Sequence, residues 1–435
     1  MSNFEEKFIK KISDRKAVVA VVGLGYVGLP LALSFAEVGF QVLGLDVDED
    51  KVKKIAKRES YIGHISNDRL KGAAGLFSAS SDFNLAEEAD AIIICVPTPL
   101  TKNREPDLSF VVGTLNALLN YLKKGQLLSL ESTTYPGTTE EVLRPPIEAK
   151  GLTIGEDFFL VYSPEREDPA NPDFQTQTIP KVIGGSTESS ARVGLALYEQ
   201  VVSKMVLVSS TMAAELTKLL ENIYRAVNIG LVNELKLLAD SMNLDIHEVI
   251  RAAATKPFGY TPFYPGPGIG GHCIPIDPFY LTWKARAYGL NTRFIELAGE
   301  INASMPSHVV GKIASALNDR AKPLKGAKIL LLGMAYKKNV EDMRESPSLE
   351  VLKLLMESGS LVDYNDPHVP VLPRTRRGAY ELKSIALTPE TLSSYDAVVF
   401  LTDHRAFDKA LILKNSSLII DTRGAFPQGP AVVKA

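Results

Sequence analysis

Ala17-Val18-Val19-Ala20-Val21-Val22-Gly23-Leu24-Gly25-Tyr26-Val27-Gly28 decides the fold class. Its first six residues are a continuous apolar run, the pattern of a parallel strand buried on both faces. Leu29 to Val38 then reads as a helix ending at Gly39. Gln41-Val42-Leu43-Gly44-Leu45-Asp46 reads as a second strand closing on an acid. Gly-x-Gly-x-x-Gly alone is a weak signal. Here strand, glycines, helix, strand and acid come in order, with Asp46 eighteen residues past Gly28, and that specifies a dinucleotide-binding unit. Gly23 allows the tight turn, Gly25 lets a pyrophosphate approach, and Gly28 lets helix pack on strand. Tyr26 and Val27 complete the cofactor-binding turn, and the helix N-terminus meets the phosphate charge. Asp46 is expected to accept from the ribose 2′-hydroxyl and to repel a 2′-phosphate, favouring NAD over NADP.

The alternation continues. Ala91 to Val96 is a strand stopped by Pro97-Thr98-Pro99, with Cys95 read as core. Leu127 to Thr134 is another, with hydroxyls at its end. Phe158 to Tyr162 is a further one, followed by Ser163-Pro164-Glu165-Arg166-Glu167-Asp168-Pro169. Ligands bind beyond the carboxyl ends of such strands, so Thr98 and Thr133 are candidate cofactor contacts. The charged loop is either a solvated acidic turn or part of the site. Thr211 to Met242 is the longest helical pattern. Leu216, Leu219, Leu220, Ile223, Val227, Leu231, Leu235 and Leu238 form an apolar stripe at three- and four-residue spacing. Such a helix can join two domains and supply a dimer face. Lys218 and Asn222 share one of its faces, as a surface pair or as donors to a developing oxyanion.

From Lys322 the pattern restarts, with strands at Lys328–Met334, Leu361–Tyr364, Ala397–Leu401 and Leu418–Asp421 and a helix opened by Ser346-Pro347-Ser348. The fold class expected is α/β, two Rossmann-like doubly wound parallel-sheet domains joined by a long central helix. The division expected is 1–210 for the NAD domain, 211–315 for the central helix and cysteine loop, and 316–435 for the second α/β domain. Lys337, Lys338 and Arg344 place cations at the second domain's ligand edge, suited to a substrate diphosphate.

The chain has 435 residues, 45% hydrophobic and 23% charged, with a net charge of −3. That balance offers no basic surface to nucleic acid. Two cysteines point to a reducing, cytoplasmic compartment rather than a disulfide framework. No signal peptide or membrane-spanning run is read, and the six scattered histidines make a metal site unexpected.

The chemistry is expected in the loop Tyr264 to Pro278, with four glycines and four prolines in fifteen residues. No regular helix or central strand accommodates that, and the glycines let backbone come close to a ligand. Cys273 lies in this loop with Asp277 four residues on, a better setting for a nucleophile than for a core thiol. His272 beside it reads as a loop-packing or substrate-contacting residue, because adjacent side chains of an extended segment diverge. An NAD domain, a thiol and a second anion-binding domain share one explanation. Taking an alcohol to an acid needs two hydride removals, and the aldehyde between them has none to give until a nucleophile adds. A thiolate adds to give a thiohemiacetal, then a thioester, which water cleaves. Lys218 and Asn222 would stabilise each oxyanion, and Asp277 or Glu165 would manage protons. A single-step hydroxyacid dehydrogenase would leave Cys273 and the second domain unused. A silent NAD-dependent sensor should lack the nucleophile or its Lys and Asn.

These residues resemble the nucleotide-sugar 6-dehydrogenases, the family of UDP-glucose and UDP-N-acetylhexosamine dehydrogenases. The likeness runs through Gly23–Gly28, Ser132-Thr133, Ser163–Arg166, Glu215–Asn222, Gly270–Asp277 and Gly333–Pro347. It implies Cys273 as nucleophile, Lys218 and Asn222 as the oxyanion and water-positioning pair, and Asp277 as the assisting carboxylate. Thr133 and Glu165 would lie near the hydrolytic water and the transferred hydride. Gly270, Lys337 and Arg423 would contact the UDP-sugar, and Arg344 would reach the cofactor. Val340 stands where members often carry Thr. The family uses two Rossmann-like domains and dimerises through the long helix, so a homodimer or higher homo-oligomer is expected. Ser163-Pro164-Glu165-Arg166 resembles the N-acetylhexosamine branch, and Glu167-Asp168-Pro169-Ala170-Asn171 resembles the UDP-GlcNAc enzymes most. UDP-glucose enzymes typically carry Asn-Pro-Glu-Phe-Leu in place of Ser163–Glu167, and Arg166 can donate to a 2-acetamido carbonyl where that Phe cannot.

Overall fold

The computed structural model describes residues 2–63, 65–101, 103–166, 177–271, 274–375, 378 and 380–435. The chain divides into two compact units. The first is Met1–Glu221 with Trp283–Leu290, the second Asn222–Thr282 with Asn291–Ala435.

In the first unit the strands are β1 (Val18–Val22), β2 (Gln41–Leu45), β3 (Phe77–Ser80), β4 (Ala91–Ile94), β5 (Gln126–Leu130), β6 (Phe158–Tyr162), β7 (Lys181–Gly185) and β8 (Met205–Leu207). They form one sheet in the order β3-β2-β1-β4-β5-β6-β7-β8. The first six follow the doubly wound dinucleotide-binding order, with β1 central and parallel to both neighbours. β7 departs from the all-parallel expectation and runs antiparallel to β6. The apolar run in β1 serves two cores. Val19 and Val21 pack on one face, Ala20 and Val22 on the other, the period of two that a strand covered on both faces imposes.

The second unit has β9 (Lys328–Leu332), β10 (Leu361–Asn365), β11 (Ala397–Phe400), β12 (Ile419–Asp421) and β13 (Val432–Lys434). All run parallel in the order β10-β9-β11-β12-β13. Ile329 and Leu331 face one core and Leu330 and Leu332 the other, as in β1. Ser346 caps the helix Pro347–Glu357 by accepting from Ser348 N–H, with Pro347 in its first turn.

Two sequence expectations change. The strand expected to reach Thr134 stops at Leu130, leaving Glu131–Thr134 as the loop at its carboxyl edge. The long helix runs Thr211–Ser241, 31 residues, but its apolar stripe is not buried throughout. Leu219 and Ile223 are buried, whereas Leu216, Leu220, Leu231, Leu235 and Leu238 are exposed. A three- and four-residue period marks an apolar face without saying what covers it.

Candidate active site

The helix Gly28–Glu37 begins without a side-chain cap. Leu29 N–H donates to Gly25 O at 3.1 Å and Leu31 N–H to Val27 O at 3.3 Å, and the positive end of the helix dipole suits an anionic phosphate. A Cβ on Gly28 would meet the Gly23 carbonyl oxygen at 1.9 Å, so only glycine fits that crossing. A Cβ on Gly25 would meet nothing within 4 Å, which leaves the turn open on its ligand side. Asp46 is nearly buried at the end of β2. Its Oδ2 accepts from Leu24 N–H at 2.8 Å and lies 3.1 Å from Lys51 Nζ. Tyr61 donates to the Leu24 carbonyl at 2.6 Å, so this one residue is held through both its N–H and its C=O. Neither Lys51 nor Tyr61 was legible in the sequence. A dinucleotide fits this cradle. Thr98 is buried and Thr133 half-buried, at the carboxyl edge near β4 and β5. Ser132 ties that edge by donating to Val96 O at 2.7 Å.

Beyond β6, Ser163 donates from Oγ to Val182 O at 2.8 Å. Beneath the next residues lies a buried charge cluster that sequence reasoning missed. Lys181 Nζ is 2.9 Å from Glu131 Oε2 and 3.9 Å from Glu165 Oε2, and it donates to Pro164 O at 3.2 Å. Tyr198 donates to Glu131 Oε1 at 2.6 Å and shares a 2.8 Å hydrogen bond with Ser129. Burial works against the Lys181 charge, but the Glu131 and Glu165 carboxylates outweigh it and hold the ammonium above the usual lysine range. Burial pushes Glu131 up and Lys181 draws it back, with burial the larger. Burial likewise pushes the Cys95 thiol up. Cys95 is partly buried against the core, as expected of it.

Arg166 is placed by two acceptors. Nε and Nη2 donate to the two oxygens of Glu221, at 3.2 and 2.7 Å, and Nη1 donates to Pro180 O at 2.6 Å. Glu165, Arg166, Ile179, Pro180 and Lys181 line a small, shallow recess. Glu167 to Asn171 lie outside the described residues.

On the long helix, Glu215 is fully buried and caps the loop after β5. It accepts from Gly137 N–H at 2.5 Å, Thr139 N–H at 2.9 Å and the Thr139 hydroxyl at 2.7 Å. Burial outweighs these donors and pushes its carboxyl up to about 7. Lys218, one turn on, is 9% exposed. That burial removes the surface reading of this lysine, because an ammonium seldom sits inside without a task or a partner.

The second unit carries the rest. Asn222 Nδ2 donates to Asp277 Oδ2. His272 and Cys273 lie outside the described residues. The glycines before them are packed against protein. A Cβ on Gly270 would meet Tyr336 Cβ at 2.5 Å, and on Gly266 it would meet Arg423 Nη1 at 2.4 Å. The loop was expected to need glycine for a ligand's approach. At Gly270 the packing of Tyr336 and Pro347 also requires it. Buried Asn233 and Asn302 pin the loop to the long helix. Gly266 N–H donates to Asn233 Oδ1 at 3.1 Å, and Asn233 Nδ2 donates to Asn302 Oδ1 at 2.8 Å. Arg423 donates from Nε to Leu401 O at 2.6 Å, and burial pulls its guanidinium down to about 10. It therefore stays charged at neutral pH. Arg344 pairs with Asp342 at 2.6 Å, and its carbonyl accepts from Gly271 N–H at 3.0 Å. Lys337 is half-buried in the loop after β9. Fully buried His404 accepts from Asn339 N–H at 2.9 Å and reaches Asp366 at 3.1 Å, holding that loop. Among the described residues, no three His, Cys, Asp or Glu side chains could hold a metal ion. Nor is any described helix long and apolar enough to cross a membrane.

Three family models match the chain in order: the UDP-glucose/GDP-mannose dehydrogenase family's NAD binding domain at residues 17–202, its central domain at 212–304, and its UDP binding domain at 330–428. The chain is 36% identical to a UDP-N-acetyl-D-mannosamine dehydrogenase of Methanococcus maripaludis, over 89% of this chain and 86% of that one. It is 35% identical to a UDP-N-acetyl-D-glucosamine 6-dehydrogenase of Pseudomonas aeruginosa, over 89% and 91%. The solved UDP-D-ManNAc dehydrogenase of Pyrococcus horikoshii superposes with a TM-score of 0.85 at 33% identity, over 95% and 97% of the two chains. With its dinucleotide turn matched by the NAD domain and its second Rossmann-like unit by the UDP domain, the chain belongs to the UDP-glucose/GDP-mannose dehydrogenase family, as an NAD-dependent oxidoreductase of UDP-sugars.

Proposed function

We propose that the chain oxidises the C6 hydroxyl of a UDP-N-acetylhexosamine, UDP-GlcNAc first among them, to the uronic acid. The observation that carries this reading is Arg166, a guanidinium beside the Glu165 recess that can donate to a 2-acetamido carbonyl. Relatives named for ManNAc and for GlcNAc match at 36% and 35%, so overall similarity favours neither epimer. The epimer reading rests on the sequence of the loop from Ser163 onward. NADH formation from UDP-GlcNAc, UDP-ManNAc, UDP-GalNAc and UDP-glucose, measured side by side, tests it. The highest kcat/KM is expected for UDP-GlcNAc. A preference for UDP-glucose would overturn the acetamido reading, and a preference for another acetamido sugar would overturn the epimer alone.

NAD, when bound, accepts a hydride in each of two oxidations. Gly23, Gly25, Tyr26, Val27, Gly28, Asp46, Thr98, Thr133 and Arg344 would hold it. Arg166, Gly270, Lys337 and Arg423 would hold the sugar nucleotide, together with Lys218 and Asn222. Cys273 adds through sulfur to the C6 aldehyde, and the carbonyl oxygen becomes an oxyanion that Lys218 and Asn222 would stabilise. Asp277, the acceptor that orients Asn222, assists proton transfer. Once the thioester has formed, Glu165 and Thr133 position water on its carbonyl, and the thiolate leaves.

NAD is expected over NADP. Two like charges about 4 Å apart near a protein surface cost roughly 4 kcal/mol. Lys51, 3.1 Å from Asp46, offsets part of that. A preference of roughly a hundredfold in kcat/KM remains, under about 3 kcal/mol. Equal values would remove Asp46 from the ribose role.

The same reading takes the division 1–210, 211–315 and 316–435 as its working domains. It includes a homodimer or higher homo-oligomer, supported by the exposed leucines of the long helix, which a second copy would cover. A cytoplasmic location, supported by the low cysteine content, and a product serving as surface-polysaccharide precursor complete it.

A further inference from the structure

Arg166 selects an acetamido group most strongly when its guanidinium is already held in one plane. A free arginine side chain samples many rotamers, and ordering it on binding weakens the contact. Here the ordering is already built in. Glu221 takes the Nε–Nη2 edge with both carboxylate oxygens, the two-point geometry that fixes a guanidinium plane. Pro180 O takes one Nη1 hydrogen. Each Nη nitrogen carries a second N–H, so the end of the fork away from Nε keeps donors after both acceptors are served. Glu221 also stands three residues after Lys218 and next to Asn222 on the long helix. It thus ties the loop after β6 to the helix that carries the proposed oxyanion donors. Nothing in the local sequence marks it, since a glutamate in an amphipathic helix reads as a solvated residue.

We propose that Glu221 is a specificity-determining positioning residue, which orients Arg166 so that its remaining N–H groups meet the 2-acetamido carbonyl of the substrate. This rests on the reading of Arg166 given above. Glu221 does not touch the sugar, so its effect passes entirely through Arg166.

The test is a double-mutant cycle read as affinity, by calorimetry with UDP-GlcNAc, UDP-glucose and UDP on the full chain without added NAD. Wild type, Glu221→Ala, Arg166→Phe and the double variant are compared. Wild type should bind UDP-GlcNAc more tightly than UDP-glucose. Glu221→Ala should narrow that gap by roughly tenfold, the scale of a charge-assisted hydrogen bond, while UDP affinity reports that the site has kept its form. Glu221→Ala should add nothing in the Arg166→Phe background, because coupled residues are not additive. A gap closed by Arg166→Phe but untouched by Glu221→Ala overturns this inference alone. So do additive effects, or an equal loss for both sugars and UDP. Tighter UDP-GlcNAc binding by Glu221→Ala would make Glu221 a competitor for Arg166 and overturn it too. A gap that neither substitution moves overturns the reading of Arg166 itself.

Discussion

Replacement of Cys273 by serine is expected to stop acid formation while leaving UDP-sugar affinity in place. The swap is nearly isosteric, so binding has little reason to change. The chemistry changes because an alkoxide leaves a carbonyl far less readily than a thiolate. Acid formation should fall by roughly 10³-fold or more, about 4 kcal/mol of transition-state stabilisation. The first oxidation needs no nucleophile, so the loss should fall on the second oxidation or on release. A stalled sugar ester on residue 273 would appear as a mass increase of the intact protein. Acid formation at the wild-type rate would make an aldehyde hydrate the true intermediate and remove Cys273 from its role.

Replacement of Lys181 by methionine is expected to have the largest effect on stability. The Glu131 side chain is fully buried, and Lys181 is the cation that faces it. Breaking a buried pair by removing one partner costs roughly 3–5 kcal/mol, because a charge stays behind without compensation. Tyr198 still donates to Glu131 in the variant, and proton uptake by Glu131 caps the loss. The unfolding transition of the first unit should drop by roughly 10 °C. Adding Glu131→Gln should recover much of that, since the fully buried carboxylate is then gone. A single variant that melts within about 2 °C of wild type would show that the pair is not held as described. Glu165, 3.9 Å from Lys181, loses that cation in the same variant, so activity should fall along with stability.

What the sequence made legible follows from which contacts are local. The dinucleotide turn is local: β1, the glycines, the helix and Asp46 lie within thirty residues and each leaves its own period or spacing. Lys218 and Asn222 could be placed on one helix face by spacing alone, yet their burial could not. The leucines of the long helix show the same limit, since their period is identical whether core or solvent faces them. The supporting residues are a different case. Tyr61 reaches Leu24 across 37 positions, Lys181 reaches Glu131 across 50, Arg166 reaches Glu221 across 55 and Asn233 reaches Asn302 across 69. A lone Tyr, Lys, Glu or Asn carries no signal of a partner that far away. Their geometry is set by the sheet order, which only the fold supplies. The packing of the glycine loop was not legible, because Tyr336 and Arg423, which lie against Gly270 and Gly266, are distant in sequence.

Stoichiometry tests the four-electron oxidation by one thiol at one dinucleotide site most directly. Wild-type protein is mixed with limiting UDP-GlcNAc and excess NAD, and NADH, uronic acid and free aldehyde are counted at completion. Two NADH per acid are expected, with no aldehyde trapped by hydroxylamine during turnover. One NADH per sugar, with aldehyde or ketone as the product, would contradict it.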